Sequence, residues 1–359
     1  METIRAAVSH GVGEPLVIEQ IQLSPPGDNQ LRIQIEAVAI CHSDITFIDG
    51  GWDCPFPAVF GHEAVGRVTV AGPGTKTPVG TRVLVTLIRS CGTCPTCSSG
   101  DRVHCEDPRD HMNGVIQTME GQPIFHAMNC AAFAEAVVVH ESQTAPIPES
   151  ISVAGAATMA CGGITGIGSA VNTAKVRPGE TVVVIGAGGV GLNAIQGAYI
   201  AGAARIVAVD MVESKLDDAQ AFGATDGILA SGPSPWRRLR RIAPRGADVV
   251  LVTVGAPVAY DTAPKYLGVG GRIAVVGMPH QDATATYSPM NFGYAGHQML
   301  GSLMGDTVLS RDIPWMVDLH GQGRLKVEEM VSKTWSLEQI NEAIADTRTG
   351  AARRNVILL

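Results

Sequence analysis

Four cysteines, Cys91, Cys94, Cys97 and Cys105, follow one another as C-x2-C-x2-C-x7-C. Three thiolates in one tight loop, with a fourth soon after, can close a tetrahedral sulfur cage around one Zn²⁺. Such a cage keeps no coordination position open, so its expected role is structural. Gly92, Pro95, Ser98, Ser99 and Gly100 are interleaved with them, poor material for a core and consistent with a metal-binding loop. A second set lies on three separated segments: Cys41 in CHSD, His62 in FGHEAVG and Cys161 in MACGGITG. Taken singly, each is as well explained by packing. Together they supply a Cys₂His ligand set, which leaves one position of a zinc ion open to water or an alcohol oxygen.

A third signal is the run Gly186-Ala187-Gly188-Gly189-Val190-Gly191, preceded by the strand-like TVVVI and followed by a helical stretch. Gly186 permits a tight turn, Gly188 lets the backbone approach a diphosphate, and Gly191 lets the helix pack on the strand with its N-terminal amides facing the phosphates. Asp210 ends the next strand, 19 residues after Gly191, where a carboxylate binds ribose hydroxyls and repels a 2′-phosphate. Met211 and Val212 after it offer no Arg, which favours NAD over NADP.

The elements that must carry these residues change character along the chain. LRIQIEAVAI (Leu31 to Ile40), AVGRVTV from Ala64, TRVLVTL from Thr81 and AFAEAVVVH (Ala132 to His140) read as short strands separated by Gly- and Pro-rich turns. That predicts a β-rich, barrel-like first domain. From about residue 160, TVVVIG, RIVAVD, ADVVLVTVG and GRIAVVG alternate with helical stretches, among them Gly189 to Gly202 with Leu192, Ile195 and Tyr199 on one face. Strand–helix alternation predicts a doubly wound parallel sheet. SLEQINEAIADTRTG and RRNVILL read as a closing helix and strand.

With 359 residues, two domains are expected. A net charge of −8 speaks against nucleic acid or an anionic membrane surface as partner. The basic cluster Arg237, Arg238, Arg240 and Arg241 reads as a solvated helix face. No signal peptide is recognised and no apolar run is read as long enough to span a bilayer, so a reducing cytoplasm is the expected setting, where clustered cysteines more often bind metal.

Taken in order, CHSD, GHE, the four-cysteine lobe, CGG-x-TG, GAGGVG and Asp210 resemble the zinc-containing medium-chain dehydrogenase/reductase family, specifically its alcohol dehydrogenases, over essentially the whole chain. The resemblance implies an α/β chain: a GroES-like β-barrel catalytic domain (1–161, with the structural-zinc lobe at about 91–105), a Rossmann domain (162–302), and a return segment (303–359) completing the catalytic domain, with the active site in the cleft. It implies two Zn²⁺ per chain, one structural and one catalytic on Cys41, His62 and Cys161, with Glu63 behind the latter. Ser43 would take the substrate hydroxyl proton. His42 and Arg354 would contact the diphosphate, Thr165 and Val190 would pack by the nicotinamide, and Lys215 would support Asp210 at the ribose.

Zinc would stabilise the alkoxide, as it lowers the pKa of bound water to about 7 in suitable sites, and hydride would pass to NAD. Many relatives end the proton path on a histidine five residues after the first cysteine ligand; here that position is Thr46, so a direct exit from ribose to solvent and a weaker pH dependence are expected. Cys161 as third ligand leans toward primary alcohols and aldehydes, aromatic and allylic ones included, and the long Cys105–Cys161 segment toward a homodimer. A thiol-dependent formaldehyde dehydrogenase is the alternative enzyme, with Arg109 as the residue to watch; a non-catalytic zinc- and NAD-binding regulator is the alternative of another class. Trp52 and Leu87 match pocket-lining positions, and Cys54 and Cys130 read as packing residues.

Overall fold

The alternation of Leu31, Ile33 and Ile35 with polar neighbours produces a strand, Gln30–Ala39, whose three apolar side chains are at most 2% exposed. In the computed structural model, which describes residues 1–107 and 115–359, this strand is the centre of a seven-stranded sheet. Glu63–Ala71 and Ala136–His140 pair with it antiparallel, and Arg82–Thr86 and Thr144–Pro146 continue beyond Glu63–Ala71. On its other side lies Asn355–Leu358, with Val356 opposite Ala39. A five-stranded sheet built on Glu2–Ser9 and Val17–Leu23 packs its inner residues into the same core. These elements belong to one compact unit, Met1–Gly162 with Val308–Leu359.

The second unit, Gly163–Thr307, holds a six-stranded sheet. Every pairing in it is parallel, in the order Asp226–Leu229, Arg205–Asp210, Thr181–Ile185, Ala247–Val252, Leu267–Val275, Gln298–Gly301. Its β-branched runs are covered on both faces, as parallel strands require. Val183, Val207, Val250 and Ile273 are no more than 1% exposed, and each such burial contributes about 1.5–3 kcal/mol.

Three local expectations are corrected. The strand expected from Ala132 begins at Ala136, because the amides of Ala132 and Phe133 are spent on the carbonyls of Gly61 and Phe60, at 2.9 Å each. Helix Gly189–Ile200 is buried on nearly every side, so Leu192 and Ile195 do not mark one face with Tyr199, which is 62% exposed. Finally, Val153–Thr173 is a helical run of 21 residues, long and apolar enough to cross a membrane by length and composition. It is a core helix instead, with 89% of its apolar window buried inside the protein.

Candidate metal and dinucleotide sites

Cys41 sits where the Gln30–Ala39 strand gives way to helix His42–Ile48, and it is the residue capping that helix. Asp44, in the first turn, reaches back to the cap: its Oδ2 accepts the Cys41 amide at 3.1 Å. Its Oδ1 accepts the Gly61 amide at 2.9 Å and lies 3.1 Å from His62 Nδ1. One buried carboxylate thus ties two ligand-bearing loops together. With Nδ1–H assigned as donor to Asp44, the lone pair of His62 falls on Nε2, which is buried and has no hydrogen-bond partner among the described residues.

Cys161 comes from a different element, a π-helical turn, Met159–Gly163, within the long buried helix. π-turns recur at functional sites because the extra residue re-aims side chains. One ligand atom from each of Cys41, His62, Glu63 and Cys161 falls in a cluster within 4.8 Å of one another, all buried. Next to Cys161, a Cβ on Gly162 would fall 2.2 Å from Arg354 Nη2, so only glycine lets that guanidinium lie there. Arg354 is 5% exposed and stands 3.6 Å from the Glu63 carboxylate.

The four donors of this cluster share charge and protons among themselves. The Cys161 hydrogen bond, opposed by burial and aided by His62, holds the Cys41 thiol well below its usual range. Cys161 is pushed well above it by that same bond and by burial. Burial disfavours a charged His62, yet Asp44 and the Cys41 thiolate hold it well above the ordinary imidazole value. Burial raises Glu63 to about 8 despite Arg354. Two thiols, an imidazole and an inward-facing carboxylate at these separations fit a zinc ion bonded at roughly 2.0–2.3 Å.

The four-cysteine lobe is built from backbone amides. Cys91 Sγ accepts from Thr93 N at 3.4 Å and Cys94 N at 3.3 Å, which lowers its thiol to about 6. Cys105 Sγ accepts from Cys91 N and Cys94 Sγ from Cys97 N, both at 3.3 Å. Burial drives Cys97 up to about 12. The four sulfur atoms lie within 4.8 Å of one another, a donor set suited to a closed zinc site.

In the second unit the strand Thr181–Ile185 ends at Gly186, whose φ of +96° makes the tight turn, and helix Gly189–Ile200 starts after Gly188. Space above Gly188 is open, with nothing within 4 Å of a built Cβ, as a backbone meeting a diphosphate requires. Asp210 ends the neighbouring strand and accepts the Ala187 amide at 2.8 Å and the Val212 amide at 3.0 Å. Lys215 is half-buried, and among the described residues no ion pair joins it to Asp210. Thr165 is 8% exposed and its hydroxyl reaches Met304 Sδ at 3.6 Å; Val190 is half-buried.

Of the remaining expected residues, His42 is exposed and Ser43 half-buried on the helix after Cys41. Thr46 Oγ1 donates to the His42 carbonyl at 2.8 Å. Trp52 packs edge-on against Phe47 with ring centroids 5.1 Å apart, Leu87 packs on the first unit's core, and Cys130 is fully buried in it. Cys54 is half-buried and also packs on that core. Arg109 lies outside the described residues. Sequence reasoning missed Asp44 and Gly162. The signal for Asp44 was present: an acidic residue at the third helical position can reach back to its cap.

Comparison with known proteins completes the picture. A profile for the alcohol dehydrogenase GroES-like domain matches residues 27–149, and one for the zinc-binding dehydrogenase domain matches residues 189–321. An alcohol dehydrogenase of Malus domestica is 32% identical over 98% of this chain and 96% of its own. The chain belongs to the zinc-containing alcohol dehydrogenases of the medium-chain dehydrogenase/reductase family. Among solved structures, this alcohol dehydrogenase chain is similar to a zinc-binding-domain alcohol dehydrogenase protein from Burkholderia ambifaria (31% identity, TM-score 0.95, 100% and 99% of the two chains covered). It is likewise similar to benzyl alcohol dehydrogenase from Acinetobacter calcoaceticus (28% identity, TM-score 0.94, both chains covered in full). Family membership makes small-molecule alcohols and aldehydes its substrates.

Proposed function

We propose that this chain interconverts primary alcohols, aromatic and allylic ones included, and their aldehydes, using NAD and two zinc ions per chain. The observation that carries the reading is the buried group of Cys41, His62, Glu63 and Cys161 donor atoms within 4.8 Å, with His62 Nε2 buried and without a hydrogen-bond partner among the described residues. Cys41, His62 and Cys161 would hold the catalytic ion, and Cys91, Cys94, Cys97 and Cys105 the structural one. When bound, zinc supplies Lewis acidity toward the substrate oxygen and the dinucleotide supplies the hydride acceptor.

The chain's own groups do the rest. Asp44 fixes the ring of His62 so that Nε2 faces the site. Arg354 offsets the negative charge of Glu63 and the thiolates, and with His42 would meet the diphosphate. Ser43, one residue into the helix capped by Cys41, would receive the substrate hydroxyl proton. With Thr46 bonded to its own helix, that proton would leave through the ribose hydroxyls to solvent. Asp210 and Lys215 would hold the adenosine ribose, Gly186 to Gly191 the phosphates, and Thr165 and Val190 the nicotinamide ring.

A homodimer is supported by the edge strand Gln298–Gly301, beside which Tyr294 is 92% and Val269 88% exposed. The test of function is NADH absorbance on mixing protein and NAD⁺ with short aliphatic, benzylic and allylic alcohols, and with formaldehyde with and without glutathione. Turnover of simple or benzylic alcohols is expected. Activity confined to formaldehyde plus thiol would replace this substrate reading by the adduct one. Silence with one zinc per chain would remove the catalytic reading.

A further inference from the structure

We infer that a cavity at the amino ends of strands Ala247–Val252, Leu267–Val275 and Gln298–Gly301 is a second ligand site, suited to an aromatic carboxylate. Every residue lining it belongs to the second unit. Its volume is about 790 Å³, within the range of small-molecule pockets. Arg245, Lys265 and His297, all on its wall, stand just before the first residues of these three neighbouring parallel strands. The phosphate turn at Gly186 instead follows the carboxyl end of Thr181–Ile185. A dinucleotide binds outside the carboxyl ends of such a sheet, so this cavity lies at the other end and stands independently of the catalytic reading.

The charge on the wall is unbalanced. Three cations, Arg240, Arg245 and Lys265, face one carboxylate, Asp261. Asp261 is engaged elsewhere: its Oδ1 accepts the Thr286 amide at 2.6 Å and the Thr286 hydroxyl at 3.2 Å. Among the described residues no ion pair joins it to those cations. Arg240, on the basic helix Trp236–Ile242, donates through Nη2 to the Leu267 carbonyl at 2.8 Å and through Nη1 to the Pro244 carbonyl at 3.3 Å. Lys265 rests over the Trp236 ring, 4.4 Å from its centroid. The Arg245 guanidinium has no partner among the described residues, so its planar fork is free for a bidentate contact. One free fork and one ammonium suit a single carboxylate better than a polyphosphate.

Much of the remaining wall is aromatic. Tyr287 packs on Phe292 with ring centroids 4.9 Å apart, and Phe292 meets the His297 ring edge-on at 5.4 Å. Tyr287 is still 52% exposed, so a partner ring can bury surface against it. With Nε2–H assigned as donor to the Gly268 carbonyl at 3.0 Å, His297 keeps Nδ1 buried and without a partner among the described residues. Orphaned atoms of this kind are rare, and a bound molecule supplies the missing partner. Cationic and aromatic side chains sharing one cavity match the two halves of an aromatic carboxylate.

The probe is 2-naphthoate, titrated by calorimetry into the full-length protein with NADH present in excess. Saturable binding is expected, with the uncharged analogue 2-naphthamide at least about tenfold weaker. Arg245→Gln and Lys265→Gln should each raise the dissociation constant about fivefold, and the two together about 25-fold. Arg237→Gln removes a charge from the neighbouring helix without altering the cavity wall, and should change it less than about twofold. All three side chains are exposed, so the variants keep their fold. Wild-type protein that binds no naphthoate would overturn the inference. So would binding that Arg245→Gln and Lys265→Gln leave unchanged, which would place the ligand elsewhere. Equal weakening by Arg237→Gln would reduce the effect to general charge attraction and overturn it too.

Discussion

Asp44 Oδ1 lies 3.1 Å from His62 Nδ1, and neither side chain has any exposed surface. The same carboxylate also holds the amides of Cys41 and Gly61, so one residue orients an imidazole and fixes the two backbones that present the first two ligands. An amide cannot serve all three donors and carries no charge. Asp44→Asn should therefore weaken zinc at the Cys41–His62–Cys161 set by about 10–100-fold. A chelator competition with metal counting checks this, because the four-cysteine lobe should keep its ion and serve as the reference. Equal retention at both sites would remove the orienting role.

Gly162→Ala puts a methyl group 2.2 Å from Arg354 Nη2. The guanidinium is buried against Glu63 and cannot step aside freely. Overpacking of this kind costs about 1–3 kcal/mol, to be read as a lowered midpoint in denaturant. If Arg354 also meets the dinucleotide, KM for NAD⁺ should rise more than kcat falls.

Cys97→Ser removes the most buried sulfur of the lobe, 1% exposed. Metal analysis should show one zinc ion fewer per chain, with the Cys41 set still loaded. Because metal binding and lobe folding are linked, the thermal midpoint should fall as well. An unchanged metal count would mean that the lobe is not a zinc site.

Glu180 carries a pH dependence of stability. Burial alone would raise its pKa, but Arg272 at 2.7 Å and the Arg177 amide at 2.9 Å bring it below the ordinary value of 4.5. A carboxylate depressed on folding stabilises above its unfolded pKa, and that stabilisation fades as pH falls below 4.5 and through the folded value. Glu180→Gln should then cost about 1–3 kcal/mol at pH 7. The gap to wild type should close in strongly acidic buffer. Urea denaturation at both pH values measures it.

Much of this molecule is legible because its chemistry is local in sequence. The spacing of Cys91 to Cys105 is dictated by one loop around one ion, and GAGGVG by one turn around one diphosphate. The parallel sheet is equally visible, since strands covered on both faces must be runs of Val, Ile and Leu. What stayed hidden depends on distant partners. Ala132 reads as strand until its amide is seen to be claimed by Gly61. Tyr199 fits a helical stripe, but a helix buried nearly all round has no stripe to read. Gly162 needed Arg354, more than a hundred positions away.

The pairing of Arg354 with Glu63, and of Val356 with Ala39, sets a schedule as well as a geometry. A ribosome adding about 5–20 residues per second makes Glu63 roughly 15–60 s before Arg354. For that interval Cys41, His62 and Glu63 exist without the arginine that balances them, and the strand leading to Cys41 has an unfilled edge. The nascent thiols are then as open to oxidants or to a wrong metal as they will ever be. Arrival of Arg354 and Val356 is what shuts that window.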